Sequence, residues 1–118
     1  MGIQKLLFAA VGLSLVPLAA LADSWTSWQY VAGNTNTVSL EGRLRHTDGD
    51  TEVQWRIMNN TPNRIYGSVR NKVYTYGDGT TTSASDEGSG VGAWSKETFI
   101  SDNIRGEVKW IEADLVYD

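Results

Sequence analysis

Apolar and polar positions alternate over long stretches of the chain after residue 28, which is the pattern of half-buried β-strands. Apolar residues or glycine occupy every second position of 38–44, and charged or polar residues stand between them. Val53, Trp55 and Ile57 repeat this period of two. Residues 46–50 lie between the two runs and contain Asp-Gly, which favours a tight reversal because both residues tolerate a positive φ. The pattern therefore predicts a β-hairpin with one buried face.

Further strand patterns follow, and residues that favour turns separate them. The predicted strands are 64–76, 80–85, 96–100 and 107–117, and the predicted turns are 59–63, 77–79 and 101–103. Both faces of 64–76 carry large side chains, which indicates either cover on both sides or a bulge near Gly67. The apolar parity also changes between Trp110 and Ile111, which predicts a bulge there. No segment has a helical apolar stripe of useful length.

Two segments have no clear partner in this scheme. Residues 86–94 contain three glycines without any periodicity, and we expect a mobile loop there. The predicted strand 80–85 is uncharged and rich in threonine. At a sheet edge its free backbone groups would accept a partner strand, whereas an interior strand would have no such role, and the sequence leaves both alternatives open.

Residues 1–22 have the features of an export signal. Lys5 precedes an apolar stretch over 6–20, and Ala-Leu-Ala at 20–22 is a small-residue cleavage site before Asp23. The apolar stretch is shorter than the about 20 residues that a membrane span needs, and Pro17 interrupts it. We expect a bacterial signal peptide, a periplasmic or secreted protein, and no stable membrane insertion after cleavage.

Removal of 22 residues from 118 leaves 96, which predicts a single domain over 23–118. The chain has no cysteine, so core packing alone must stabilise it, and five tryptophans and five tyrosines supply large side chains for that purpose. Short strands with turns rich in Gly, Asn and Asp predict an all-β fold. We expect an antiparallel β-sandwich of about 6–8 strands, with a small barrel as the alternative.

The run 53–61, with a tryptophan in mid-strand followed by Asn-Asn-Thr, resembles the core strand and turn of immunoglobulin-like and fibronectin type III-like domains. Residues 74–79, Tyr-Thr-Tyr-Gly-Asp-Gly, are similar to the hairpin between paired strands of such domains. The cysteine pair of antibody domains is absent. The resemblance implies an immunoglobulin-like sandwich with an adhesive, recognition or spacer role.

The composition excludes several chemistries. Without cysteine there is no thiol nucleophile and no thiolate metal site, and a single histidine cannot build a histidine-rich zinc site. Without Lys5 the chain has nine basic and fourteen acidic residues, a formal net charge of −5. This charge disfavours nucleic acid and anionic lipid as partners. No two acidic residues are placed for glycoside hydrolysis, so we expect a protein that is not an enzyme and needs no cofactor.

Asp48, Asp50 and Glu52 form the one acidic group with a metal-binding spacing. Alternate carboxylates in a short loop suit calcium, which prefers several hard oxygen ligands, although the complete EF-hand pattern is missing. The same residues are also ordinary for a solvated turn. A weak calcium site is therefore one candidate for this turn.

The positions of the tryptophans support a more specific functional hypothesis than the acidic turn does. We assign Trp55 and Trp110 to the core, whereas Trp25, Trp28 and Trp94 stand in tail or loop positions. Exposed indole rings there would contact a ligand, and buried rings would cap the sandwich. The sequence thus predicts an exported, non-catalytic binding module for protein–protein recognition. The alternative is a carbohydrate-binding module that uses the three exposed tryptophans.

Overall fold

The computed structural model describes residues 4–8 and 24–118. Of the predicted export signal only Gln4–Phe8 is described, as a β-strand. The rest of that signal and the predicted cleavage site before Asp23 lie outside the described residues. No helix long and apolar enough to cross a membrane occurs in the part of the chain that the structure describes.

All regular structure in the described residues is β-strand, which confirms the all-β prediction. The strands are β1 (Gln4–Phe8), β2 (Gln29–Gly33), β3 (Val38–Thr47), β4 (Asp50–Asn59), β5 (Ile65–Tyr76), β6 (Thr81–Ala84), β7 (Glu87–Val91), β8 (Ser95–Thr98), β9 (Asp102–Ile104) and β10 (Val108–Tyr117). In sheet A, β10 lies between β1 and β5, and β6 and β7 pair with the other side of β5. In sheet B, β3 lies between β2 and β4, and β8 and β9 pair with the other side of β4. All pairs are antiparallel, and the two sheets enclose one hydrophobic core as a sandwich.

The predicted hairpin is the long β3–β4 pair. Its register runs without interruption from the Val38–Asn59 pair to the Thr47–Asp50 pair. Asp48 and Gly49 make the reversal with φ values of 52° and 83°, as the Asp-Gly dipeptide predicts. The inward positions of both strands, Trp55 among them, are fully buried.

The core lies between the sheets and consists of aliphatic side chains around Trp55 and Tyr74. Two glycines allow the sheets to approach each other. A Cβ atom on Gly42 would lie 2.7 Å from Ile111 Cδ1, and one on Gly67 would lie 2.8 Å from Ile57 Cδ1. A larger residue at either position would therefore push the sheets apart.

Two bulges differ in position from the predicted ones. In β5 the extra residue falls between Arg70 and Val73, where Asn71 has a φ of 53°, and not at Gly67. In β10 the register shifts between Val108 and Trp110, before the predicted point. A one-residue shift turns every following side chain to the other face. Trp110 is consequently 40% exposed on the outer face of sheet A, so its assignment to the core was wrong.

Two further segments are strands where the sequence predicted a loop and a turn. Residues 86–94 include β7, which pairs with β5 from Val69 to Ile65, so the prediction of a mobile loop was wrong there. Of residues 101–103, Asp102 and Asn103 belong to β9, which pairs with β4. The glycines of β7 leave room for side chains of β5, which lie across its bare backbone. With these two strands, 24–118 contains nine strands instead of six to eight.

Candidate ligand-binding site

Three loops meet at one end of the sandwich: 34–37 between β2 and β3, 60–64 between β4 and β5, and 92–94 between β7 and β8. We call them the loop cluster. Asn59, the last residue of β4, is fully buried beneath them. Its Nδ2 atom lies 2.8 Å from the carbonyl oxygen of Asn63 and 3.0 Å from that of Gly92. Its Oδ1 atom accepts hydrogen bonds from the backbone N–H and the hydroxyl of Thr61. One asparagine thus ties two of the loops together.

The third loop is tied in by the next residue along the chain. The backbone N–H of Asn60 donates to Thr37 O at 2.7 Å, and its side-chain amide donates to Thr35 O at 2.9 Å. Asn34 closes its own turn by accepting from the backbone N–H of Asn36. These local side-chain bonds are the reason that asparagine is frequent in turns. The loop cluster is therefore fixed by hydrogen bonds.

Trp94 is the most exposed tryptophan of the described residues, with 68% of its surface accessible. Its backbone N–H donates to Thr61 O at 3.1 Å, which anchors the residue to the neighbouring loop. Its φ is 55°, in the left-handed region that a bulky residue seldom adopts. Such conformations are costly, and they concentrate at ligand-binding and catalytic sites. Trp94 therefore presents its indole ring to solvent from a fixed and strained backbone.

A cavity of about 510 Å³ opens beside the loop cluster. Its lining combines the apolar Val38 and Ile65 with the polar Asn34, Thr61 and Asn63. Arg64 and Asp118 also line it. A cavity of this size is within the range of small-molecule sites, and its amide and hydroxyl groups can donate and accept hydrogen bonds. Thr61 connects the two features, since it lines the cavity and its carbonyl oxygen holds Trp94.

Trp25 and Trp28 have a different environment from Trp94. Both are half-buried against the outer face of sheet B. The Cζ atom of Arg43 lies 4.5 Å from the Trp25 ring centre and 4.3 Å from that of Trp28. Arg45 lies 4.7 Å from the first ring and Arg56 lies 4.2 Å from the second. We call this arrangement the Trp–Arg stack. Each indole ring is flanked by two guanidinium groups, which attract the ring faces.

Polar partners hold the arginines of the Trp–Arg stack in place. Arg43 donates to Gln54 Oε1, Arg45 pairs with Glu52 at 2.6 Å, and Arg56 pairs with Glu41 at 2.7 Å. Burial, with the nearby charges of Arg56 and Arg45, lowers the pKa of Arg43. The stack fastens the segment before β2 to sheet B. Guanidinium groups thus cover the ring faces of Trp25 and Trp28, whereas the ring of Trp94 is open to solvent. Of the three predicted ligand contacts, Trp94 is therefore the best placed to bind a ligand.

The residues predicted to bind calcium surround a second cavity, of about 460 Å³, at the opposite end of the sandwich. Asp50 accepts a hydrogen bond from the backbone N–H of Gly106 at 3.0 Å, and Glu52 is engaged by Arg45. In the described residues no group of three or more acidic or histidine side chains is arranged to hold a metal ion. Two of the three carboxylates thus have protein partners, Asp50 through Gly106 and Glu52 through Arg45, and calcium binding at Asp48, Asp50 and Glu52 stays a prediction.

A buried polar network between the sheets was not predicted. Lys72, with no exposed side-chain surface, lies 2.6 Å from Glu87 and 3.0 Å from Asp102. The Tyr74 hydroxyl donates to Asp102 and accepts from Trp55 Nε1 at 2.8 Å. Burial, followed by the hydrogen bond to Asp102, raises the pKa of Tyr74 far above its ordinary value. The sequence gives little sign of this network, because the bulge at Asn71 determines that Lys72 faces inward.

Comparison with known proteins adds no family to these observations. No family model, no curated protein sequence and no solved structure matches the chain. Only the geometry of the site therefore indicates a function.

Proposed function

We propose that the chain is an exported, non-catalytic binding module of the bacterial periplasm or cell exterior, and that it recognises a protein partner through the loop cluster. The observation that carries this proposal is the exposed indole of Trp94 on a fixed, strained backbone. Tryptophan is enriched among the residues that dominate the energy of protein–protein interfaces. Its large contact area would serve as the anchor of this interface.

The hydrogen bonds of Asn59 and Asn60 support the proposal. A loop that is ordered before binding loses little conformational entropy on association, so more of the contact energy appears as affinity. Asn59 is buried and bonded at both ends of its amide, which fixes 60–64 and 92–94 relative to each other. The loop cluster is thus preorganised for a partner.

The two-sheet architecture is the part of the immunoglobulin-like resemblance on which we rely. In such sandwiches the loops at one end form the recognition surface, as the loop cluster does in this proposal. The strand order differs from that of immunoglobulin domains, because β2, β3 and β4 lie side by side in chain order here. An immunoglobulin constant sheet instead places strands A, B, E and D side by side. From the resemblance we therefore propose for this chain only that loops at one end of the sandwich bind a partner, and not that the partner is one of those known for immunoglobulin-like domains.

A capture experiment with matched variants tests the proposal. The purified protein, Trp94→Ala and Trp110→Ala are immobilised and exposed to an envelope extract of the exporting cells. Trp110 is a suitable control because it is also exposed, on the outer face of sheet A. We expect the parent and Trp110→Ala to retain the same protein, and Trp94→Ala to lose it. Equal retention by all three would remove the loop cluster as the binding surface.

A second candidate function, glycan binding, is favoured by the cavity beside the loop cluster. Sugars are recognised by hydroxyl and amide groups next to an aromatic ring, and Asn34, Thr61 and Asn63 line this cavity near Trp94. A glycan array probed with the parent protein and with Trp94→Ala separates the two candidates. Binding of one glycan class that Trp94→Ala abolishes would favour the sugar, and an array without signal would favour the protein partner.

A further inference from the structure

Sheet A ends in a free strand edge. β6 and β7 follow each other along the same side of β5, with Thr81 opposite Thr75 and Val91 opposite Ile65. Neither strand has a second partner strand among the described residues. We call 81–91 the β6–β7 edge. It places the threonine-rich segment at a sheet edge, which is one of the two alternatives that the sequence left open.

The other edges of the described sandwich carry features that discourage strand pairing. β10 pairs with β1 in the described structure, and in an exported chain without residues 1–22 it would still have Lys109, Glu112 and the bulge between Val108 and Trp110; β2 contains a register shift between Tyr30 and Ala32. The β8 edge has exposed charges at Lys96 and Glu97. Within this edge β7 contains neither lysine nor proline, and the carboxylate of Glu87 is engaged by Lys72. Asp86, just before β7, accepts a hydrogen bond from the backbone N–H of Asn71. Charged, bulged or covered edges resist association, whereas an edge without these features is a template for another strand.

A tyrosine and an arginine, which can pair with each other, lie beside the outer face of β7. Gly88 and Gly90 leave this face without side chains, and two side chains near the start of β5 lie across them. A Cβ atom on Gly88 would be 2.8 Å from Tyr66 Oη, and one on Gly90 would be 2.2 Å from Arg64 Nη2. Tyr66 is 56% exposed, and none of the ion pairs among the described residues involves Arg64.

We propose that a second copy of this chain pairs with the β6–β7 edge, antiparallel to β7 and about a two-fold axis at Ser89. This symmetry sets Gly90 opposite the partner subunit's Gly88. Arg64, which lies over Gly90, then faces the partner subunit's Tyr66, and the same contact occurs a second time by symmetry. A guanidinium group over a phenol ring is a cation–π pair. Main-chain hydrogen bonds join the strands, and the two Arg–Tyr pairs fix the register.

Charge distribution favours a second copy as the occupant. About an axis at Ser89, Glu87 stands opposite the partner subunit's Val91, so no like charges face each other in β7. A self-complementary patch closes a dimer because each copy supplies both halves of the contact. This inference does not rest on the proposed function, since it uses the edge of sheet A and not Trp94.

Cysteine cross-linking tests the register directly, because the natural chain contains no cysteine. Cα atoms that face each other across antiparallel strands are close enough for a disulfide. We expect oxidised Ser89→Cys to run as a covalent dimer. Ser83→Cys is the matched control on the same edge, six residues from the axis, and we expect it to stay monomeric. A monomer for Ser89→Cys, or an equal yield for both variants, would overturn the proposal.

Sedimentation equilibrium of the cysteine-free protein, from micromolar to millimolar concentration, provides the second test. We expect the mass of two chains at the upper end, and a monomer throughout would overturn the inference. Arg64→Ser and Tyr66→Ser should each weaken the dimer about tenfold, because each variant removes both cation–π pairs. Arg70→Ser, an exposed arginine of β5 beyond β7, should have no effect. Circular dichroism confirms that each variant is folded, and a dimer unaffected by Arg64→Ser would contradict the Arg–Tyr contact.

Discussion

Lys72 Nζ lies 3.0 Å from Asp102 Oδ2, and this ion pair joins sheet A to sheet B through the core. The lysine also holds Glu87 of β7, so one buried cation connects β5 with two edge strands. A charge without water is tolerated only when it is paired and hydrogen-bonded. The network therefore constrains how the two sheets face each other.

Replacement of Lys72 by methionine tests that role. The change keeps much of the side-chain volume but leaves two carboxylates without their cation, so we expect the free energy of unfolding to fall by about 3 kcal/mol. Urea denaturation followed by circular dichroism measures it. Lys96→Met on the exposed β8 strand is the matched control, with an expected change within about 0.5 kcal/mol. Equal effects of both variants would mean that the buried network contributes no stability.

The Tyr74 hydroxyl predicts a loss of stability at alkaline pH. Burial and the hydrogen bond to Asp102 raise the pKa of Tyr74 in the folded protein, whereas an unfolded tyrosine ionises near about pH 10. Above that pH the unfolded state binds fewer protons than the folded state, so unfolding becomes more favourable as the pH rises. The stability that this group contributes is fully present below about pH 10 and falls by about 1.4 kcal/mol per pH unit above it.

Urea denaturation at a series of pH values from neutral to about pH 11 measures this fall in the free energy of unfolding. Tyr74→Phe removes the ionisable group, so we expect a shallower alkaline loss. Tyr66→Phe, at an exposed position, should behave like the parent protein. A parent and a Tyr74→Phe variant with the same slope would show that Tyr74 ionises in the folded state.

The Trp–Arg stack predicts the effect of removing Arg43. This guanidinium contacts both Trp25 and Trp28, so Arg43→Ala should destabilise the protein by about 2 kcal/mol and increase acrylamide quenching of tryptophan fluorescence. Arg70→Ala, an exposed arginine on β5, is the control and should change neither quantity. Unaltered quenching in Arg43→Ala would mean that the stack does not cover the two rings.

The strained backbone of Trp94 predicts that stability and binding respond in opposite directions. Glycine adopts a φ of 55° without steric cost, so Trp94→Gly should raise the free energy of unfolding by about 1 kcal/mol while binding is lost. Trp94→Ala keeps the strained φ and should lose binding without the gain in stability. If the glycine variant unfolds at the same urea concentration as the alanine variant, the strain at Trp94 is negligible.

The sequence was informative where side-chain periodicity and turn chemistry agree. The alternation around Val53 and Trp55, with Asp-Gly before it, determines both the β3–β4 register and its buried face. β7 could not be predicted in this way, because its glycines interrupt any alternation of apolar and polar residues. It is a strand because it pairs with β5, and such a tertiary contact leaves no local sequence pattern. Trp110 was misplaced by one bulge residue, which reverses the faces of a strand. Among the candidate contacts, the position of Trp94 in a loop was predictable, but its φ and the Trp–Arg stack depend on tertiary contacts.

Photo-crosslinking at position 94 tests the central claim most directly. A benzophenone amino acid replaces Trp94 in one variant and Trp110 in another, and intact exporting cells are irradiated. We predict one discrete protein adduct from position 94 and none from position 110, because the partner covers the loop cluster. No adduct at position 94, or the same adducts from both positions, would contradict a protein-binding role of the loop cluster.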